Sequence, residues 1–312
     1  MIDNKLITRE DLIELDKELE MISLTLDCMF KAVFTDDLDI LKEFLILETE
    51  LDLDPNETTI TLLNTELPKE NMNECKKTID IFISLNDKFN IDVELNNNNY
   101  NDIISFRNEQ YSSKLFTMSL EKGEKIKKAM EKTLIQLNLN TKNLDIPYGD
   151  DILMTYGLKS NRIYVENKKT ILKYLAYYKR LYYNLGIKLT DAQLWLVVIL
   201  SENFVELYDL LGNLLTDSKR DKFIRKVIKM SKDTFILHEW EKEKMDELKE
   251  LAIREDGLIE GREQGLQEGI EQGSRQSRIE IAKNLLESNI SIEIIHQSTG
   301  LSIEEINQIK EK

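Results

Sequence analysis

Two short segments carry the residues best suited to chemistry: Thr78-Ile-Asp-Ile-Phe-Ile-Ser-Leu85 and Phe89-Asn-Ile-Asp-Val-Glu-Leu95. Both alternate with period two, the mark of strands. On the first, Asp80, Phe82 and Ser84 share a face; on the second, Asp92, Glu94 and Asn96 do. A three-residue loop, Asn86-Asp-Lys88, would pair Leu85 with Phe89 and so set Asp80 directly across from Glu94, with Cβ atoms roughly 5 Å apart. Two carboxylates at that spacing repel unless a cation joins them. Mg²⁺ takes one or two carboxylates plus waters and phosphate oxygens, and can polarise a phosphodiester and activate water. The same pattern also describes a half-solvated hairpin with acids on its wet face. A one-residue slip in register would separate the two acids.

The next helix bears on that choice. Arg107, Tyr111 and Lys114 stand at i, i+4 and i+7 on one face, while Ile103, Phe106, Leu115 and Met118 are available to a core. Such a stripe beside the carboxylates could hold phosphate or stabilise developing negative charge, or simply face water. Farther on, residues 159–188 hold eight Lys/Arg against one acid, and residues 217–232 hold seven against two. The first run interleaves Lys173, Lys179 and Arg180 with tyrosines, a composition suited to a DNA backbone. Most of those tyrosines also fit an apolar helix face.

The elements that must position these residues follow from pattern. Residues 1–50 read as helical, 59–65 as a strand, 101–120 and 124–132 as helices, and 133–139 as a strand. Short strands fit at 152–155 and 162–165. Helices are expected over Thr170–Leu185, Thr190–Leu200, Phe204–Leu215 and Asp221–Lys249. Gly257, Gly261, Gly265, Gly269 and Gly273 recur every four residues, costly in a lone helix and suited to close self-association, although a tolerated and partly disordered repeat is also compatible. Two serine-capped starts at Ser291 and Ser302 close the chain as a small helical module. The expected divisions are 1–145, 146–250, 251–278 and 279–312. The expected class is α/β, a mixed sheet flanked by helices with a mostly helical C-terminal half.

Composition bounds the rest. The 312 residues are 41% apolar and 32% charged, with formal net charge −16. That balance argues against a general nucleic-acid coat, leaving DNA to a local basic face. Two cysteines at unrelated positions offer neither a disulfide framework nor a zinc site. The N-terminus lacks a secretory pattern and no apolar run could span a bilayer, so a cytoplasmic protein is expected.

Phe30-Lys31-Ala-Val-Phe34 after Leu26-Asp27 resembles the opening D-x-x-F-K-x-x-F motif of the Rpn-type recombination-promoting nucleases, transposase-like members of the PD-(D/E)XK nuclease superfamily. The Asp80 strand, Val93-Glu-Leu-Asn96, Arg107-x-x-x-Tyr111-x-x-Lys114, the glycine runs and the Thr299-Gly-Leu-Ser ending follow in the family's order. The resemblance implies a restriction-endonuclease-like mixed sheet and metal-dependent cleavage of DNA, with Mg²⁺ or Mn²⁺ held by Asp80 and Glu94. It also implies supporting roles for Asp27, Lys31 and Asn96. Asn96 departs from the family: it stands where the superfamily has Lys and Rpn-like proteins often have Gln. An amide can orient water but carries no charge.

Three readings result. The first is a Mg²⁺-dependent DNA endonuclease serving recombination or mobile elements. The second is a catalytically impaired DNA-binding or assembly protein on the same scaffold. The third is a structural oligomer organised by the glycine helix.

Overall fold

A computed structural model describes residues 5–65, 80–97, 102–118, 131–142, 145–157, 162–163 and 165–310. It divides into two compact units, Met1–Trp240 and Glu241–Lys312. Among the described residues no helix is long and apolar enough to cross a membrane.

The first unit opens with three helices: α1 (Arg9–Leu15), α2 (Asp27–Phe34) and α3 (Leu38–Thr49). Strands β1 (Ile60–Leu62), β2 (Ile81–Leu85) and β3 (Phe89–Asn96) come next. Helix α4 (Asp102–Met118) leads to β4 (Thr133–Asn140). Then follow β5 (Asp150–Leu153), a two-strand ribbon of β6 (Tyr156–Gly157) and β7 (Arg162–Ile163), and β8 (Lys168–Tyr174). Helices α5 (Leu175–Leu185), α6 (Asp191–Ile199), α7 (Phe204–Leu211) and α8 (Asp217–Met230) precede α9 (Thr234–Glu287).

Six strands form one sheet in the order β1-β2-β3-β4-β8-β5. The outer pairs are antiparallel, and β3, β4 and β8 run parallel. The β2–β3 hairpin has the expected register, Leu85 against Phe89 and Ile81 against Val93. Asn86 and Asp87 take positive φ of 52° and 53° in its loop, a conformation that Asn and Asp tolerate better than other side chains.

Period two sorts the sheet's faces. Ile81, Ile83, Ile91, Val93, Ile135 and Leu137 are fully or almost fully buried on one face, in the main core. The same core holds Phe34, whose ring lies 5.2 Å from Phe44, 6.1 Å from Trp195 and 5.7 Å from Phe223, centroid to centroid. The opposite face carries Asp92, Glu94, Asn96, Gln136, Asn138 and Asn140, all buried.

Helix α4 is tied to this polar face. It buries Ile104, Asn108, Ser112 and Leu115, while Ile103 and Phe106 are 79% and 67% exposed. The expectation that those two serve the core is corrected. A sheet face lined with amides and acids favours Asn108 on the inward side of the helix, where it bonds Asn138 and Gln136.

Three further boundaries differ from expectation. Residues 168–174 form a strand, and the expected helix starts only at Leu175. Between two neighbours, β8 buries both faces over Thr170–Tyr174, so it lacks the alternation that marks a half-exposed strand. Because β5 and β8 join the same sheet as β2–β4, the expected division at 145/146 falls inside one unit. The helix expected over Asp221–Lys249 breaks after Met230, where Asp233 Oδ1 accepts the Phe235 and Ile236 N–H groups and starts α9. The helix expected over 124–132 lies almost wholly outside the described residues, as do Lys159, Tyr164 and Cys75.

The second unit comprises the greater part of α9 with α10 (Ile292–Thr299) and α11 (Ile303–Lys310). Ala282, Ile295, Leu301 and Ile306 form its small core. Gly300, with φ of 69°, ends α10 in the left-handed conformation. Ser302 and Glu305 exchange backbone-to-side-chain bonds at 2.9 and 3.2 Å, a capping box for α11. All five repeat glycines lie inside α9, and a Cβ added at any of them would meet nothing within 4 Å.

Candidate active site

Asp80 sits one residue before β2. Continuing the observed register by one step from Ile81–Val93 places it opposite Glu94. Its Oδ2 accepts the Leu95 N–H at 2.8 Å, which fixes the carboxylate against the end of β3. Asp92 is fully buried two residues before Glu94 on the same face. Its Oδ2 accepts from Gln136 Nε2 at 2.9 Å, and the same amide donates to the Asn108 carbonyl at 2.9 Å. Thus Gln136 ties β3, β4 and α4 together through one side chain.

These acids perturb one another. Burial raises the Asp80 carboxyl, against the Leu95 N–H bond and the nearby Arg107 and Lys31 charges. Burial pushes Asp92 up to about 7, with Asp80 adding to the rise and the Gln136 bond opposing it. Glu94 is held well above its ordinary range, first by burial, then by Asp92 and Asp80, with Asp27 contributing and Arg107 opposing. Asp92 and Glu94 also hydrogen-bond to each other through their side chains, which opposes the rise of Asp92.

Helix α2 brings the next two residues. Phe30 and Phe34 are buried at i, i+4, with ring centroids 4.5 Å apart. This pair turns Asp27 and Lys31 to the exposed side of the helix. From there Asp27 acts on Glu94, and Lys31 acts on Asp80 while donating to Thr65 Oγ1 at 3.3 Å. Asn97 Nδ2 also donates to the Thr25 carbonyl, joining the end of β3 to the chain leading into α2.

Asn96 is buried and bonded on both sides. Its Nδ2 donates to Asn140 Oδ1 at 3.0 Å, and its Oδ1 accepts from Arg107 Nη2 at 2.9 Å. Arg107 Nε donates to Asn108 Oδ1 at 3.2 Å, and the guanidinium carbon lies 5.9 Å from the Tyr111 ring centroid. Tyr111 packs with Leu115 and Leu134, and the Lys114 ammonium is buried on the same helix, which corrects its expected DNA-contacting position. The structure therefore gathers Asp27, Lys31, Asp80, Glu94, Asn96, Arg107 and Tyr111 in one region.

The basic segments sit elsewhere. Lys173 pairs with Leu139 in register, on the sheet face away from Glu94. It is buried, with Nζ 3.3 Å from Asp150, 3.7 Å from Glu48 and 3.8 Å from Glu50. A lysine so enclosed has no open path to a DNA backbone, which corrects its expected DNA-contacting position. Lys179 is bound to Glu202 at 2.6 Å and to the Leu200 carbonyl, and Arg180 lies over the Tyr177 ring. In α8, Lys219, Arg220, Lys222, Arg225 and Lys226 all pair with carboxylates. The second basic run is thus largely neutralised inside the chain.

Three site residues were not among the expected ones: Asp92, Gln136 and Asn108. Asp92 shares Glu94's face by simple alternation, and that signal was present. Gln136 and Asn108 gain meaning only from the crossing of α4 over β4.

The donor chemistry fits a hard divalent cation: carboxyl oxygens of Asp80, Asp92 and Glu94, clustered and buried, whose raised pKa values would fall as a cation replaced their protons. Among the described residues no group of three or more His, Cys, Asp or Glu converges as a complete ligand set. A site supplied by Asp80 and Glu94 would therefore take its remaining ligands from water and substrate oxygens, as Mg²⁺ commonly does.

Residues 275–311 match a family model described as the C-terminal HTH domain of the Rpn/YhgA-like nuclease family. The matched span covers the end of α9 with α10 and α11, and it supports membership of that family. No curated protein and no solved structure matches the chain.

Proposed function

We propose that this chain is a metal-dependent DNA endonuclease of the PD-(D/E)XK type, with Asp80 and Glu94 holding Mg²⁺ or Mn²⁺. The observation that carries the reading is the buried cluster of Asp80, Asp92 and Glu94 beside an arginine, with Asp92 and Glu94 hydrogen-bonded to each other. Such an arrangement is relieved either by protons held on the carboxyls or by a cation that displaces them. The family match at residues 275–311 agrees with it. When bound, the ion supplies Lewis acidity at a phosphodiester and a more acidic water. Asp80 and Glu94 anchor it, Asp92 hydrogen-bonds Glu94 from behind, and Lys31 and Arg107 balance the acids from two helices. Tyr111 flanks Arg107 on the same side of α4. The setting we infer is cytoplasmic DNA recombination or mobile-element activity.

Purified protein should nick plasmid DNA in Mg²⁺ or Mn²⁺. Loss of outer-shell partners typically costs 10–100-fold at metal sites, so Asp80→Asn or Glu94→Gln should cost more than about a hundredfold. Wild-type rates in both variants would refute the assignment.

A second reading, a catalytically silent DNA-binding or assembly protein, is favoured by one observation. Both ends of the Asn96 amide are engaged within the protein, which keeps it from orienting water. Salt-dependent DNA binding without cleavage in any divalent metal would support it.

Self-association through α9 belongs to the same proposal. Leu258, Leu266 and Ile270 are exposed beside the open glycines, as a helix awaiting a second copy would have them. Light scattering of the full chain and of a chain ended at Ile253 tests this.

A further inference from the structure

Arg107 is a cation held by neutral groups. Among the described residues it forms no ion pair, although it acts on both Asp80 and Glu94. Its contacts are amide oxygens: Asn96 Oδ1 at 2.9 Å from Nη2 and Asn108 Oδ1 at 3.2 Å from Nε. Each of those amides is itself fixed. Asn96 Nδ2 donates to Asn140 Oδ1 at 3.0 Å, and Asn108 Nδ2 donates to Asn138 Oδ1. With their NH₂ ends committed to β4, both side chains must present oxygen toward the guanidinium. The result is a four-amide clamp, buried throughout, gripping an exposed arginine.

The clamp has a consequence for charge. A guanidinium bonded to carboxylate is largely neutralised, whereas one bonded to amides keeps its charge and its remaining N–H donors for an anion. Held in place, it pays little reorganisation when negative charge grows nearby.

We propose that Arg107 is the residue that binds the scissile phosphate and stabilises its developing charge, and that Asn96, Asn108, Asn138 and Asn140 are positioning residues for it. The inference rests on the reading of Asp80 and Glu94 as the metal-binding pair. It gives Asn96 a purpose that a lysine could not serve, since an ammonium at position 96 would confront the guanidinium directly. Position 96 and position 107 together therefore hold one cation, not two.

The test uses the full chain, with single-turnover cleavage, DNA affinity in Ca²⁺ and Mn²⁺ binding by calorimetry measured on each variant. Arg107→Gln is expected to slow cleavage on the order of 10²–10³-fold, with DNA affinity changed less than about tenfold and Mn²⁺ binding kept. Added guanidinium should restore part of the rate to Arg107→Ala. Asn96→Lys should slow cleavage in the wild-type background yet speed it in Arg107→Gln, a reversal that a merely structural Asn96 would not produce. Wild-type cleavage by Arg107→Gln, or Asn96→Lys acting alike in both backgrounds, overturns the proposal. Asp80→Asn separates the two ideas. If it cuts normally, the metal-pair reading fails; if it is silent while Arg107→Gln cuts normally, only this inference fails.

Discussion

The Asp80 carboxylate accepts the Leu95 amide N–H at 2.8 Å, locking the open end of the β2–β3 hairpin at the residue after Glu94. This one bond converts a sequence separation of fifteen residues into a shared site. It also leaves the second Asp80 oxygen uncommitted by that bond, beside a carboxyl that burial already raises. The hairpin therefore positions two acids without neutralising them. Neutral amides fill the surrounding layer, so the charge balance of the site is left to Arg107, Lys31 and a bound cation.

Divalent-metal affinity should rise with pH through the neutral range. Burial lifts Asp92 to about 7 and Glu94 well above its ordinary value. At pH 6 protons therefore compete with the metal; at pH 8 they compete less, and binding at pH 7 should release protons. Calorimetric titration of Mn²⁺ in buffers of different ionisation enthalpy counts those protons. Asp92→Asn should lower the count. A proton count of zero at pH 7 would contradict the raised carboxyls.

DNA binding should depend on α4 and not on β8. Arg107→Gln should reduce the slope of log affinity against log salt by about one, the loss of one phosphate contact. Lys173→Gln should leave the slope unchanged, because its ammonium is enclosed by Asp150, Glu48 and Glu50. Fluorescence anisotropy across a salt series reads both. A reduced slope for Lys173→Gln, with the fold intact, would return that lysine to the DNA face.

The hairpin was legible because two local signals agree on it: strict alternation on both strands and a three-residue loop rich in Asn and Asp. The Phe30–Phe34 spacing was equally readable, since i, i+4 aromatic pairs go inward. Helix α4 was turned the wrong way because Ile103 and Phe106 look like core residues until the sheet beneath is seen to be lined with Gln136, Asn138 and Asn140. In β8 the strand merges into α5 without a glycine or proline between them, so no local signal marks the change. The basic runs misled for a different reason. Lys222 pairs with Asp37 and Lys226 with Asp36, partners nearly two hundred residues away that local charge counting does not reach.

Glu48 should make the protein lose stability as pH rises from about 5 to 8. It is fully buried on α3, and burial pushes its carboxyl up to about 8 despite Lys173 at 3.7 Å. The folded value lies above the unfolded one, so the folded state binds the extra proton in that window. Stability is then greatest below the unfolded value and declines as pH approaches 8. The effect at pH 8 is on the order of a few kcal/mol. Glu48→Gln removes the titrating group and keeps its shape, so it should flatten this part of the slope, measured as urea midpoints from pH 5 to 8. A slope equal to wild type would show that Glu48 remains ionised in the fold.

The glycine repeat supplies the last prediction, because its cost has no return within the chain. Five glycines weaken α9 by about 4–5 kcal/mol relative to alanine, yet a Cβ at each would meet nothing. Within one chain, then, Gly257→Ala, Gly265→Ala and Gly273→Ala together should stabilise the helix, by about 2.5–3 kcal/mol. Between two copies the effect should be opposite, since a methyl group at each position keeps the helix backbones apart. The triple variant is therefore expected to show more helical circular dichroism and a smaller mass by light scattering than wild type. Greater helicity with unchanged mass would mean that the close approach between copies, if there is one, does not use these glycines. A mass that was monomeric from the start would remove self-association as their reason.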